Sequence, residues 1–246
     1  MTLPRPGPRQ LGLPFPHQPD FAAADFLAAP ANKAGRIWLG DPQIWPSGRL
    51  ALFGDPDVGK SHLLHCWARR EGALLVHGPA LHGLPALPEN VGVRGGVAVD
   101  DADLMAEELS LLHLLNVCAE AGLRVVLAGR APPARWPVML PDLASRLRAI
   151  TAVEIEPPDD ALLQALLAKL LAERQLAVAA PLQAYLLARL PRTAASLAEA
   201  ARRLDRLALA TGGRVTRTLV AHVLAGLTAE VQPEDDIFTS GGPALL

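Results

Sequence analysis

The sequence predicts an α/β domain built on a mostly parallel sheet, followed by a small all-helical domain. Three observations point there. Short runs rich in Val, Leu and Ala alternate with segments of helical period as far as residue 157, and such alternation gives parallel strands covered on both faces. A glycine-containing loop, Gly54 to Ser61, lies between the first apolar run and the first helical pattern. Beyond Pro157-Pro158 only helical patterns remain.

The elements follow in order. Residues 1–20 are rich in proline and poor in core-forming side chains, which predicts an extended arm. Asp25 to Asn32 mixes apolar and small residues. Arg49 to Phe53 (RLALF) reads as a buried strand ending in the glycine loop. Ser61 to Arg70 is helical by pattern, with Leu64, Trp67 and Ala68 near one face. Ala73 to His77 and Gly96 to Asp100 are further strands, and Glu107 to Glu120 is a helix carrying Leu111, Leu114, Leu115 and Cys118 on one face. Leu123 to Ala128 and Ala152 to Ile155 complete the strands. In the second domain, residues 158–230, Asp159 or Asp160 caps a helix running through Glu173 and Pro181 starts the next. Thr193 to Ala210 is a third helix, and a fourth runs from about Thr216 to Leu227. The domain before it spans 21–157, and 231–246, with Pro233 and Gly241-Gly242, is a tail.

Composition narrows the function. A chain of 246 residues builds a core without a metal or disulfide staple. Aromatic residues are 4% of it, which predicts a core built mainly from Leu, Ala and Val. Lys and Arg number 23 against 25 Asp and Glu, a formal net charge of -2, so tracking nucleic acid is not the expected main task. Cys66 and Cys118 lie far apart inside apolar segments and read as buried thiols of a cytoplasmic protein. The apolar run from Ala161 is broken by Lys169, Glu173 and Arg174, so no membrane span is expected, and Met1 to Pro8 does not read as a signal peptide.

The chemistry concentrates in Gly54-Asp55-Pro56-Asp57-Val58-Gly59-Lys60-Ser61, which fits the phosphate-loop pattern between a strand and a helix. Backbone N–H groups and a helix N-terminus make an anion cradle there. Lys60 supplies charge at the outer phosphates, Ser61 is a ligand for Mg²⁺, and His62 follows at the start of the helix. Gly96 to Asp101 is an apolar strand closed by two carboxylates. Asp100 is the second candidate Mg²⁺ ligand; Asp101 either orients the attacking water or is only a helix cap or surface acid. Two arginines are candidates for neutralising a terminal phosphate: Arg146, in Ser145-Arg146-Leu147 before the last strand, and Arg192, at the start of a second-domain helix. By pattern alone each also reads as a solvated surface arginine.

This order of motifs resembles the AAA+ ATPases, and most closely the DnaA family of bacterial replication initiators with its shorter regulators, the Hda group. The resemblance covers roughly residues 10–228. It implies a P-loop domain with a helical lid that binds ADP or ATP with Mg²⁺. Lys60 would contact phosphates, Asp100 would serve the metal, Arg146 would be an arginine finger offered to a neighbouring nucleotide, and Arg192 the second sensor arginine of the lid. Phe21 to Asn32 is similar to the family's segment lining the adenine pocket. The first sensor position falls at Ala128-Gly129-Arg130. Neither of its first two residues has a side chain able to orient a water, so weak intrinsic hydrolysis and a stable diphosphate-bound state are expected. The family's helix-turn-helix domain has no counterpart after the lid, which predicts no sequence-specific DNA binding.

In the arm, Gln10-Leu11-Gly12-Leu13-Pro14-Phe15 resembles the peptide by which bacterial proteins dock on the sliding clamp, the β subunit of DNA polymerase III. Gln10 would bond at the mouth of a groove, Leu13 and Phe15 would enter an apolar pocket, and Leu11 would pack nearby. The resemblance then implies an activator that meets ATP-bound DnaA while seated on the clamp and promotes hydrolysis of its nucleotide, with a homodimer or larger AAA+ oligomer as a further assembly. The alternative is an adaptor that recruits replication proteins and uses its nucleotide as a structural switch. An independent P-loop kinase has little support, because no acceptor-substrate motif is present.

Overall fold

A computed structural model of the chain describes residues 26–83, 95–211 and 214–229. Its centre is a five-stranded sheet in the order β2-β3-β4-β1-β5, formed by β1 (Arg49–Phe53), β2 (Leu74–His77), β3 (Gly96–Asp100), β4 (Arg124–Gly129) and β5 (Thr151–Glu154). Every pairing is parallel, and β1 lies between β4 and β5. These are the strands expected from sequence, each within a residue or so of its expected bounds.

The side-chain alternation of a strand divides the core. Ala51, Val97, Val99, Val125 and Leu127 face one layer, where they pack on Leu111, Leu114, Leu115 and Cys118 of α3 (Glu108–Glu120) and Leu143 and Leu147 of α4 (Pro141–Arg148). Leu50, Leu52, Ala98, Val126 and Ala128 face the other. There they meet Leu39 of α1 (Lys33–Gly40) and Leu63, Leu64, Trp67 and Ala68 of α2 (Lys60–Glu71). The core is mainly Leu, Ala and Val, as expected, and the few aromatic residues are central to it: Trp45, Trp67 and Trp136 are all buried. Cys118 is fully buried and its burial pushes the thiol up to about 11, whereas Cys66 is only half-buried, contrary to expectation.

The second domain contains α5 (Asp160–Glu173), α6 (Ala180–Leu187), α7 (Ala194–Thr211) and α8 (Arg217–Ala229) around its own apolar cluster. Of the two capping candidates Asp159 acts: its Oδ1 accepts the Leu162 N–H at 2.7 Å. Two short helices, α1 and α4, were not foreseen. The buried Asn32 holds the entry to α1, donating to the Leu27 carbonyl at 2.9 Å and accepting the Ala29 N–H at 3.1 Å. Glu108 holds the entry to α4, its two carboxylate oxygens accepting the N–H groups of Met139 and Leu140, each at 2.7 Å. Among the described residues no helix is long and apolar enough to cross a membrane.

Candidate nucleotide site

The loop from Gly54 to Gly59 leaves the C-terminal end of β1, the strand-to-helix crevice where open α/β sheets bind ligands. Gly54, Asp57 and Gly59 take positive φ values of 149°, 61° and 102°, which curl the chain into a concavity ending at the first turn of α2. Asp55, Pro56 and Asp57 are exposed, while Val58 packs into the core beneath and anchors the loop. Ser61 and His62 follow, half-buried, in the first turn of α2. Phe26 meets the His62 ring edge-on with centroids 5.1 Å apart, which brings the described part of the segment Phe21 to Asn32 beside this helix.

Lys60 is 7% exposed, and its Nζ donates to the carbonyls of Gly54 at 2.9 Å and Asp55 at 2.7 Å. Burial pulls the ammonium below the usual lysine value, while the carboxylates of Asp101, Asp100, Asp103 and Asp55 push it back up. The loop lysine and the two acids closing β3 therefore feel one another's charge. Asp100 Oδ1 accepts the Asp101 N–H at 3.1 Å. Asp101 takes a left-handed conformation (φ 47°), and its Oδ2 lies 3.8 Å from His77 Nδ1. It makes no side-chain capping bond, so the helix-cap reading is not realised.

Ser61 and Asp100 offer the hard oxygen donors that suit Mg²⁺. Among the described residues no group of three or more His, Cys, Asp or Glu side chains is arranged to hold a metal. A divalent ion here would draw its remaining ligands from phosphate oxygens and water, the usual manner of Mg²⁺ in nucleotide sites. Lys60→Ala is expected to weaken binding of both ADP and ATP at least tenfold, since it removes the one ammonium at the loop. Titration calorimetry checks this, and unchanged affinities would refute the assignment.

The arginines occupy different places. Arg146 lies near the C-terminus of α4, just before the turn into β5, whose first residue Thr151 pairs with Leu50. Burial, and the like charge of Arg146 nearby, hold the Arg49 guanidinium below its usual value. Arg146 is thus at the N-terminal end of the sheet, beside the first residue of β1. The phosphate loop is at the other end, with roughly 13 Å of strand between. Arg192 stands two residues before α7 and pairs with Asp160 at the start of α5, Nη1 to Oδ1 2.5 Å, both exposed. Thr193 caps α7 instead, its Oγ1 accepting the Ser196 N–H at 3.2 Å. Gln10, Leu11, Leu13 and Phe15 lie outside the described residues, as does the tail from 231.

Two residues of the region escaped the sequence reading. Glu108, by fixing Met139 and Leu140, fixes the helix that carries Arg146; its partners are 31 and 32 residues away, and nothing local announces them. Asp103 lies in the turn after β3, and its Oδ2 accepts the Arg130 N–H at 2.9 Å, tying that turn to the end of β4. Arg130, at the first-sensor position expected from the resemblance, is exposed.

No sequence family model matches the chain. Solved structures are similar to it in fold. Domain III of the replication initiation protein DnaA from Thermotoga maritima superposes with a TM-score of 0.67 at 16% identity, covering 86% of this chain and 98% of that one. AMPPCP-bound DnaA from Aquifex aeolicus gives 0.59 at 18% identity over 80% and 67% of the two chains. A Thermotoga maritima RuvB mutant gives 0.61 at 16% identity over 80% and 68%. The chain has the fold of DnaA domain III, a five-stranded parallel sheet with helices and a helical C-terminal region.

Proposed function

We propose that the protein is a nucleotide-binding AAA+ regulator of replication initiation, which promotes hydrolysis of ATP held by the initiator DnaA while itself carrying ADP and seated on the sliding clamp. The observation that carries this reading is the position of Arg146. It sits at the opposite end of the sheet from the chain's own phosphate loop, on a helix whose entry Glu108 pins by two backbone hydrogen bonds. A guanidinium placed there is out of reach of the chain's own phosphate loop, which supports its use at a phosphate held by another molecule.

The division of labour follows from the residues. The loop from Gly54 to Ser61 with Lys60 would bind the diphosphate, and Asp100 with Ser61 would hold Mg²⁺. The metal supplies charge neutralisation at the phosphates. Asp101 is the acid available to orient water, but Ala128 and Gly129 provide no polar side chain to help it, which supports weak hydrolysis in this chain and a long-lived ADP form. Arg192, released from Asp160, is the lid arginine available to the same nucleotide. At the partner's site Arg146 acts when negative charge builds on the transferred phosphoryl oxygens, and it needs no change in its own molecule to do so. The likeness to DnaA domain III supports a DnaA partner, because AAA+ domains of one shape pack edge to edge with a finger of one at the nucleotide of the next. The decisive experiment measures hydrolysis of DnaA-bound ATP with the protein and with clamp loaded on DNA. No stimulation by the wild-type protein would refute the activator reading and leave the adaptor.

The clamp contact has its own test. A peptide of residues 8–17 is expected to bind the isolated clamp, and Gln10→Ala, Leu13→Ala and Phe15→Ala together are expected to abolish binding of the full-length protein. Thermal stability should hardly change, since the proline-rich residues 1–20 are poor in core-forming side chains. Equal clamp affinity of altered and unaltered proteins, by surface plasmon resonance, would overturn it.

A further inference from the structure

Between α7 and α8 lies a cleft of 590 Å³ lined by Arg203, Arg206, Leu207, His222, Val223 and Gly226. Its floor is apolar, since Val223 is buried and Leu207 half-buried, while Arg206 and His222 stand exposed at its rim. Glycine at 226 lets the Arg203 guanidinium lie against α8, because a Cβ there would crowd its Nη1 at 3.1 Å. None of the lining residues is acidic. Glu199, one turn before Arg203 on α7, is shared by three guanidiniums. Arg203 Nε reaches its Oε1 at 2.6 Å, Arg202 pairs with its Oε2, and Arg206 Nη2 stands 3.9 Å from Oε1.

Charge divides along the chain in the same sense. Residues 158–229 carry nine Lys and Arg against five Asp and Glu. After α8 come Glu230, Glu234, Asp235 and Asp236 with no basic residue, and Ile237-Phe238 follow the acids directly. This segment lies outside the described residues. Its composition, carboxylates beside two large apolar side chains, matches a basic rim over an apolar floor. A nucleic-acid backbone would use the arginines but not the Leu207–Val223 floor. Reach is ample: Val223 lies about 9 Å back along α8 from Ala229, and residues 230–236 span up to about 23 Å when extended. We propose that the cleft is a docking site for the chain's own acidic segment, with Glu234 to Asp236 against the arginine rim and Ile237-Phe238 over Leu207 and Val223. Seated there, the segment withholds the basic row from other polyanions.

Arg206→Lys keeps the charge and supplies an amine that a carbodiimide joins to a carboxylate as an amide, with loss of water. In the full-length monomer, peptide mapping by mass spectrometry is expected to find position 206 joined to Glu234, Asp235 or Asp236. The yield should fall in about 1 M salt, which screens the pairing. Arg202→Lys places the amine on the same helix but outside the cleft. It is expected to give at least tenfold less of that product, since only docking raises the effective concentration of the acids at 206. Coupling to Glu199 is open to both variants and measures the reaction itself. Equal yields from 202 and 206 would reveal chance collision and overturn the proposal. Position 206 joined only to Glu199 would overturn it as well, and leave the cleft to an acidic peptide or a nucleic acid from elsewhere. A link confined to cross-linked dimers would overturn it in favour of a second copy of the chain.

Discussion

Replacing Arg146 by alanine is expected to lower stimulated hydrolysis of initiator-bound ATP by about three powers of ten, while ADP binding, clamp binding and Tm stay near wild type. The size follows from what an arginine finger does: it stabilises charge that develops only in the transition state, so its loss falls on the rate and hardly on ground-state affinity. The sparing of the other properties follows from position. Arg146 is half-buried at the sheet end remote from the phosphate loop, and α4 is held by Leu143, Leu147 and the Glu108 carboxylate. Arg146→Lys is expected to rescue poorly, because one ammonium does not reproduce a planar two-point contact. Single-turnover assays with clamp present and the protein in excess over DnaA make the measurement. An alanine variant that stimulates as well as wild type would remove the finger and favour the adaptor.

What the sequence made legible, and what it hid, divides along physical lines. The strands β1, β3 and β4 were readable because a parallel strand buried on both faces must be a near-continuous apolar run, as in Arg49–Phe53 and Arg124–Gly129. The phosphate loop was readable because its chemistry is contiguous: eight successive residues set both the turn and the charge. The helices α1 and α4 escaped because each has eight residues, too few turns for a period to show, and α1 carries glycines at 35 and 40. Asp103 and Glu108 escaped for a different reason. Their bonds reach 27 to 32 residues along the chain, and the fold alone brings the partners together. The sequence could show that Gly129 has no side chain; only the packing shows that the Trp136 ring and Asp103 crowd the space one would need.

The glycines at the two ends of the phosphate loop look equivalent in the motif, and their alanine variants are expected to fail in opposite ways. At Gly54 a Cβ would overlap the carbonyl oxygen of Ile155, at a φ of 149°. That carbonyl belongs to backbone that cannot swing aside cheaply, because the Ile155 N–H donates to the Phe53 carbonyl at 2.8 Å and continues the pairing of β1 with β5. Gly54→Ala therefore forces the strand ends apart, with an expected cost of about 3 kcal/mol or more. For a chain of this size that lowers Tm by roughly 6–12 °C. At Gly59 a Cβ would meet nothing within 4 Å, and only the φ of 102° opposes it. Gly59→Ala is then expected to cost about 1–2 kcal/mol and to move Tm by only a few degrees. Its damage falls on binding, because relieving the φ strain turns the loop N–H groups out of the curl that faces a phosphate. Thermal unfolding and ADP calorimetry on both variants separate the two roles. A Gly54→Ala protein with native Tm would show that the β1–β5 junction is soft, and a Gly59→Ala protein with native ADP affinity would show that the curl at the start of α2 is not the phosphate cradle.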